Sequence, residues 1–229
     1  MIADFHIHSK YSYDSILSPR TILKVAKKQG LNAIAITDHD TIKGGVETQK
    51  INTDKDFLVI VGSEVNTEIG DLIGLNLNEE IKSKNSIEVI EEIKAQGGYV
   101  ILPHPYRGHK LNEHIIENSD AIEVFNGRST REQNMKALEL AKKYFKPFIA
   151  GSDAHFASEI GMVKVHIALS SNENVILFPL NERSISGNQC PWYLINLSQI
   201  VKSKKTKNFA VIPKQIFGIL CQIPPKMKQ

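Results

Sequence analysis

Histidine and acidic side chains recur in this chain where short apolar segments end. His6 and His8 are separated by one residue in the first such segment, and Asp153 and His155 repeat that spacing late in the chain. Side chains two positions apart on an extended segment point to the same side, so each pair can present two ligands to one point. A single pair of this kind is more often structural. Here further residues of the same types lie between the pairs: Asp14, Asp38, His39, Glu64, Asp71 and His104.

This repetition at the ends of expected strands is hard to assign to packing and predicts a polynuclear metal site. Imidazole and carboxylate ligands without thiolates suit Zn²⁺, Mn²⁺ or Fe²⁺. The set is larger than one ion needs, so we expect two or three divalent ions, with the isolated Glu64 as the bridge. Ions about 3.5–4 Å apart can hold a hydroxide nucleophile at neutral pH and neutralise phosphoryl oxygens. Such a site needs no Ser or Cys nucleophile, and no nucleophile elbow is evident.

Basic residues close to these ligands are candidates for binding an anionic substrate. Arg107 follows His104 by three positions, in a loop where its planar guanidinium could bind a phosphate with two hydrogen bonds. Arg128 follows Asn126 at the next strand end, and Lys10 lies in the loop after His8. For Arg128 and Lys10 a surface ion pair explains the position equally well.

The elements that must position these residues alternate between strand and helix. Strands are expected at 2–7, 32–37, 57–61, 99–102, 120–125, 147–150 and 163–169. Helices are expected at 20–29, 45–51, 86–96 and 130–144, and an extra extended segment at 71–77 pairs with 65–68. Alternation of this kind predicts a parallel sheet. Seven core strands with polar groups at their C-terminal ends favour an α/β barrel with its site at that face, whereas an open doubly wound sheet would bring fewer strand ends together.

Composition is that of a globular protein, with 41% hydrophobic and 23% charged residues among 229. No apolar stretch reaches the ~18–20 residues that span a bilayer, and polar residues occupy the N-terminus where a secretory signal would be apolar. We therefore expect a cytoplasmic protein. Its two cysteines, Cys190 and Cys221, are expected to be reduced thiols remote from the ligands.

The charge is divided unevenly along the chain. Residues 183–229 contain eight basic side chains and no acid, and the strand–helix pattern fades after about residue 170, where prolines recur. We expect a barrel over residues 1–170 and a basic extension over 171–229, partly packed on the barrel or flexible. Within it, 195–201 and 209–221 could form short strands or a helix. The basic tail could contact nucleic acid weakly, although a solvated end is the simpler explanation.

The motifs resemble those of the polymerase and histidinol phosphatase (PHP) superfamily of metal-dependent phosphoesterases. They occur in the family's order over residues 1–169, as DFHIHS (4–9), SYD (12–14), ITDHD (36–40), GSE (62–64), LPHPYR (102–107) and GSDAH (151–155). The resemblance implies a distorted (β/α)7 barrel and a trinuclear site, with catalytic and metal-binding roles for His6, His8, Glu64, His104, Asp153 and His155.

The resemblance also assigns the ligands to individual ions. The first ion would take His6, His8, Glu64 and Asp153, and the second would share Glu64 and add His104. The third would take Asp14, His39 and His155. Asp71 stands where relatives often have a histidine and would complete the second site. Glu123 and Asn126 would support the ligands or contact substrate, and Asp38 would orient a neighbouring histidine.

These expectations lead to one main hypothesis and two alternatives. The main hypothesis is a phosphoesterase in which a metal-bridging hydroxide attacks a phosphomonoester: a nucleotide, a short oligonucleotide or another small phosphate ester. The first alternative is a metal-dependent hydrolase of a non-phosphate bond, because barrels with paired histidines also occur among amidohydrolases. The second is a non-catalytic PHP module associated with nucleic acid.

Overall fold

The computed structural model describes residues 1–169, 176–179 and 181–209. Its helices are α1 (Pro19–Lys28), α2 (Lys43–Ile51), α3 (Ser86–Ala95), α4 (Glu113–Asn118), α5 (Arg131–Lys143) and α6 (Trp192–Lys205). Its strands are β1 (Ile2–Ile7), β2 (Ala33–His39), β3 (Leu58–Thr67), β4 (Gly70–Leu75), β5 (Tyr99–Leu102), β6 (Ala121–Asn126), β7 (Phe148–Gly151), β8 (Val163–His166), β9 (Ala168–Leu169), β10 (Ile176–Leu177) and β11 (Ile185–Gly187). None of the helices in these described ranges is long and apolar enough to cross a bilayer.

The main sheet curves into a nearly closed barrel. Its strand order is β11-β8-β1-β2-β3-β4-β5-β6-β7. Strands β1, β2 and β3 are parallel to one another, as are β5, β6 and β7. A parallel bridge between Ile7 and Ala154 links the end of β1 to the segment after β7, with the His8 amide donating to the Ala154 carbonyl at 2.9 Å. The α/β barrel expected from the sequence is confirmed.

Two strands differ from the expected all-parallel arrangement. β4 is antiparallel to both β3 and β5, so the extra extended segment is a strand of the barrel wall. Only Glu68 and Ile69 separate β3 from β4, which leaves room for a hairpin but not for a crossover helix. β8, expected as the last parallel strand, instead pairs antiparallel with β1 at Ile2 and Ala3.

The barrel is apolar on both faces of its strands. Ala33 and Ala35 of β2 point to one buried cluster, and Ile34 and Ile36 point to another that packs against α1. Burial on both sides is the reason that parallel strands read as continuous apolar runs. Helix α1 begins at Pro19, where the preceding Ser18 hydroxyl caps the helix by accepting from the amide of Thr21 at 3.1 Å.

The described part of the C-terminal extension lies on the barrel. β11 pairs with β8 at the edge of the same sheet, and α6 extends across the face where the parallel strands end. The predicted segment 195–201 lies within α6. The segment 209–221 lies outside the described residues except for Phe209. Helix α4 was not predicted, because its six residues are too short to show a helical period.

Candidate metal centre

His6 near the end of β1 and His8 just after that strand are both buried. The Nε2 atoms of His6 and His8 are 3.1 Å apart. Asp4 of β1 accepts from the Ser152 hydroxyl and amide and from the amide of Gly161. Burial raises the pKa of Asp4 to about 6 although these hydrogen bonds lower it. Asp4 thus holds the β7 end against β1, next to the two histidines.

Glu64 is the centre of the arrangement. Its Oε2 lies 3.4 Å from His6 Nε2, 3.3 Å from His8 Nε2 and 3.3 Å from His39 Nδ1. Its Oε1 lies 2.8 Å from Nε2 of His104. Burial opposes ionisation of Glu64, but the imidazoles hold its pKa well below the usual range. One carboxylate surrounded by four imidazoles can bridge two ions.

Asp153 closes the other side of this group. Its Oδ1 lies 3.2 Å from His8 Nε2 and 3.8 Å from His6 Nε2, and its Oδ2 accepts from Arg107 at 2.7 Å. Burial is opposed by Arg107 and the histidines, so the pKa of Asp153 is also well below its usual range. The carboxylates in turn raise the pKa of His8 to about 10 against the effect of burial. The site therefore attracts positive charge strongly.

A third group of ligand-type residues lies beside the first two. Oδ2 of Asp14 is 3.2 Å from His39 Nε2 and 3.1 Å from His155 Nε2. With His8 these residues offer ligand atoms that all lie within 4.8 Å of one another. Glu64, Asp71 and His104 form another such group. Asp71 also accepts from the side-chain Nδ2 of Asn66 at 2.8 Å. Every predicted ligand is therefore in the cluster.

The hydrogen bonds of the histidines fit metal ligation. Nδ1 of His6 donates to Glu123 at 3.0 Å, Nδ1 of His155 donates to the Asp153 carbonyl at 2.8 Å, and Nδ1 of His8 is 3.0 Å from the Ser12 hydroxyl. This leaves the three Nε2 atoms to face the cluster with lone pairs, as in metal sites. Among the described residues, Asp14 Oδ1, His39 Nδ1 and His104 Nδ1 are buried without a hydrogen-bond partner. The residues present fit divalent ions.

Glu123 and Asp38 support ligands. The second oxygen of Glu123 accepts from the His104 amide at 2.8 Å and from Asn126 Nδ2 at 3.0 Å. Asp38 accepts from the Ser12 hydroxyl at 2.9 Å, and that hydroxyl in turn faces His8. Asp38 thus acts on His8 through Ser12, and it is absent from the groups of described residues that could hold an ion.

The three basic residues proposed to bind substrate differ in their contacts. Arg107 reaches the cluster: besides Asp153 it donates to Asn126 Oδ1 at 3.2 Å, and 34% of its side chain is exposed. Arg128 lines the same pocket, but Glu159 accepts from its Nε and Nη2, and Ser198 accepts from its Nη1. Lys10 lies apart from them, with its ammonium 3.2 Å from Glu47 on the surface, and it is not among the residues that line the pocket.

Three participating residues were missed by sequence reasoning. Glu159 accepts from the amides of His155 and Phe156 and from the Cys190 thiol, which brings Cys190 close to the site after all. His109 donates to the Asp71 carbonyl at 2.8 Å, with its ring 5.5 Å from that of His104. Tyr13 stacks on His39 with ring centroids 4.4 Å apart. Of these, only His109 and Tyr13 carried a signal, namely their proximity to a predicted ligand.

A pocket of about 240 Å³ opens above the cluster. Tyr13, Arg107 and Arg128 line it together with six of the predicted ligands: Asp14, His39, Glu64, Asp71, Asp153 and His155. Ile195, Gln199 and Lys202 of α6 complete the lining. The arrangement can bind divalent ions next to a small anionic molecule.

Comparison with known proteins agrees with this geometry. The sequence model of the PHP domain matches residues 4–177. One uncharacterized protein of Methanocaldococcus jannaschii is 49% identical over 140 residues, which cover 55% of this chain and 82% of the relative. A second from the same organism is 35% identical over 174 residues, covering 70% of this chain and 68% of the relative.

The fold is also shared with a solved structure. A two-domain protein from Bacteroides vulgatus, described as containing a predicted PHP-like metal-dependent phosphoesterase, superimposes with a TM-score of 0.61 at 20% sequence identity. The match covers 72% of this chain and 58% of that structure, so the chain spans a little over half of its length.

Proposed function

The chain belongs to the PHP domain family, and on this basis we propose that it is a metal-dependent phosphoesterase that hydrolyses a phosphomonoester. The observation that carries the proposal is Glu64, with four imidazoles within 3.4 Å of its carboxylate and Arg107 across the cluster on Asp153. Imidazoles around a shared carboxylate suit a multinuclear metal site, and a guanidinium beside it suits a phosphoryl group.

The ligands divide into three sets in this proposal, of which the first two share Glu64. One ion would be held by His6, His8, Glu64 and Asp153, the next by Glu64, Asp71 and His104, and the third by Asp14, His39 and His155. The set suits zinc, manganese or iron. When bound, such ions activate a water at neutral pH and neutralise the oxygens of a phosphoryl group.

In this proposal, residues of the chain bind the substrate and orient the metal ligands. Arg107, partly exposed to the pocket and already held by Asp153 and Asn126, donates to a phosphoryl oxygen and stabilises the charge that develops on it. Glu123 fixes the ring of His6, and Asp38 fixes that of His8 through Ser12. Two ligands with fixed tautomers keep the site in one geometry before substrate arrives.

The test is to purify the full chain without chelator, count its metals by elemental analysis and assay the Mn²⁺-loaded protein. The substrates are a panel of phosphate esters with nucleotides and short oligonucleotides. We expect two or three ions per chain and phosphate release that is abolished in His8→Ala and Asp153→Asn. The matched control is His166→Ala, which changes an exposed histidine of β8 outside the cluster.

Other outcomes favour the alternatives. Bound metal without turnover of any phosphate ester would move the assignment to a hydrolase of a non-phosphate bond. Absence of bound metal would leave a non-catalytic module.

Contact with nucleic acid through the basic tail is a separate proposal. It requires binding to RNA or DNA at low salt that weakens as salt rises and on removal of residues 210–229.

A further inference from the structure

Helix α6 supplies one wall of the pocket although it lies beyond residue 177, where the family match ends. The residues that face the pocket are Ile195, Gln199 and Lys202. Their spacing of four and then three residues places them on one face of the helix. Part of the pocket lining is therefore built by a segment outside the residues that the family model matches.

The helix is tied to the barrel before and after Lys202, at Ser198 and at Lys205. The Ser198 hydroxyl accepts from Arg128 Nη1 at 2.7 Å. Lys205 Nζ donates to the carbonyls of Lys10, Ser12 and Ser15, in the loop that carries Asp14, at 2.7 to 2.8 Å. The position of Lys202 on the intervening turn is thus fixed by the helix.

Lys202 differs from the other cations around the site. Its ammonium lies 4.5 Å from the centroid of the Tyr13 ring, which itself stacks in parallel on His39. Arg107, Arg128 and Lys10 each pair with a carboxylate. Within residues 1–169, 176–179 and 181–209, no carboxylate lies within ion-pair distance of Lys202. Its charge faces the pocket and is available to an anion.

We propose that Lys202 binds a second anionic group of the substrate, a carboxylate or phosphate on the leaving group, and so selects esters that carry one. The inference rests on the proposed function, in which the scissile phosphate lies between the ligands and Arg107. Lys202 is one aromatic ring away from His39, so it addresses a different group of the same molecule. The volume of about 240 Å³ lies below the ~300–1,000 Å³ of typical ligand sites and suits a small ester.

Binding of non-hydrolysable phosphonates tests this proposal without turnover. Phosphonoacetate, 3-phosphonopropionate and 4-phosphonobutyrate would be compared by calorimetry with alkylphosphonates of matched length, on the Mn²⁺-loaded full chain. We expect the wild-type protein to bind one carboxylated member at least about tenfold more tightly than its partner, as a charge-assisted hydrogen bond gives. Lys202→Met should lose that preference, Lys202→Arg should keep most of it, and Lys204→Met, an exposed lysine of the same helix, should not change it.

Turnover separates the two kinds of anionic group. Three esters with the same three-carbon skeleton would be compared. Glycerol 3-phosphate carries no second anionic group, 3-phosphoglycerate carries a carboxylate, and 2,3-bisphosphoglycerate carries both a carboxylate and a second phosphate. We expect Lys202→Met to lower kcat/KM about tenfold for at least one of the two esters that carry a second anionic group. For glycerol 3-phosphate the loss should be less than about twofold.

The outcomes distinguish this inference from the proposed function. The role of Lys202 would be overturned if Lys202→Met affected all compounds equally. It would also be overturned if the wild-type protein bound no phosphonate, or bound carboxylated and uncarboxylated phosphonates equally well. Turnover by the wild-type protein without preference would leave the phosphoesterase standing and remove only the specificity. A phosphonate preference that depends on Lys202, without hydrolysis of any ester, would support anion binding by Lys202 and contradict the proposed phosphoesterase activity.

Discussion

Gly151 lies directly against His6 where β7 meets β1. A Cβ at position 151 would overlap the Cβ of His6 and crowd its backbone nitrogen. The same seam carries the bridge between Ile7 and Ala154 that nearly closes the barrel. The approach of the two strands and the placement of the first ligand pair are therefore one feature of the fold.

Gly151→Ala should displace His6 and lower metal content. The added methyl group has no space, and moving His6 breaks its alignment with Glu64 and Glu123. We expect a destabilisation of about 1–3 kcal/mol from overpacking and a loss of at least one ion per chain. Gly30→Ala is the control, because Gly30 has a positive φ but open space around it. If both variants retain full metal content, the close approach does not position the ligand.

Metal removal should lower the melting temperature substantially. Glu64, Asp14 and Asp153 lie in one buried cluster, and ions that bind only the folded chain stabilise it. At a metal concentration of about 100 times Kd the gain is about 2.7 kcal/mol, or roughly 5–10 °C for a chain of this size. Scanning calorimetry with and without chelator measures it.

Glu64→Gln should remove most of this chelator-sensitive increment, because an amide cannot bridge ions as a carboxylate does. Glu91→Gln, on the exposed side of α3, is the matched control and should keep the increment. An unchanged increment in Glu64→Gln would contradict the bridging role.

Ser12→Ala should weaken the site although Ser12 does not face an ion. Its hydroxyl joins Asp38 to the Nδ1 of His8 and accepts from the amide of His39. Removing such a partner costs about 10–100-fold in metal affinity or activity. Metal titration of Ser12→Ala beside Ser83→Ala, which alters a serine remote from the cluster, tests this. Equal affinities in the two variants would show that Asp38 does not act through Ser12.

Most of the ligand set could be predicted because nearly all of its residues follow a short apolar run. His6 on β1, His8 directly after β1 and Asp153 after β7 are placed by strand periodicity and by the common edge at which parallel strands end. The position of Glu64 was less regular, since β3 continues past it to Thr67 as one arm of the hairpin with β4. The sequence pattern located the strands along the chain but did not reveal that β4 and β8 run antiparallel to their neighbours.

Residues that depend on long-range packing could not be predicted. Glu159 carries no motif, and its contacts with Arg128 and His155 arise only when the loop after β7 folds back. The face of α6 was equally hidden, because its apolar and basic residues show no clear period. For Lys10, proximity to His8 in the sequence left substrate binding and a surface ion pair equally open, and the structure places its ammonium next to Glu47.

Arg107 should act on substrate and not on stability. Its side chain is partly exposed, and Lys cannot replace the two donors that a guanidinium presents. We expect Arg107→Ala and Arg107→Lys to lower kcat/KM by at least about 100-fold, or ~2.7 kcal/mol of transition-state stabilisation, with little change in melting temperature. Arg131→Ala, at the exposed start of α5, is the control. Activity of Arg107→Lys close to wild type would exclude a two-donor contact.

Arg128 should behave in the opposite way. Its side chain is 5% exposed and that of Glu159 is fully buried, so removing the guanidinium leaves a buried carboxylate without its partner. Arg128→Met should cost about 3–5 kcal/mol and lower the melting temperature by more than about 6 °C. The double variant Arg128→Met with Glu159→Gln should recover part of that loss, because no buried charge remains. Arg183→Met changes an exposed arginine and serves as the control. A stable Arg128→Met protein with a raised KM would instead return Arg128 to the substrate-binding residues.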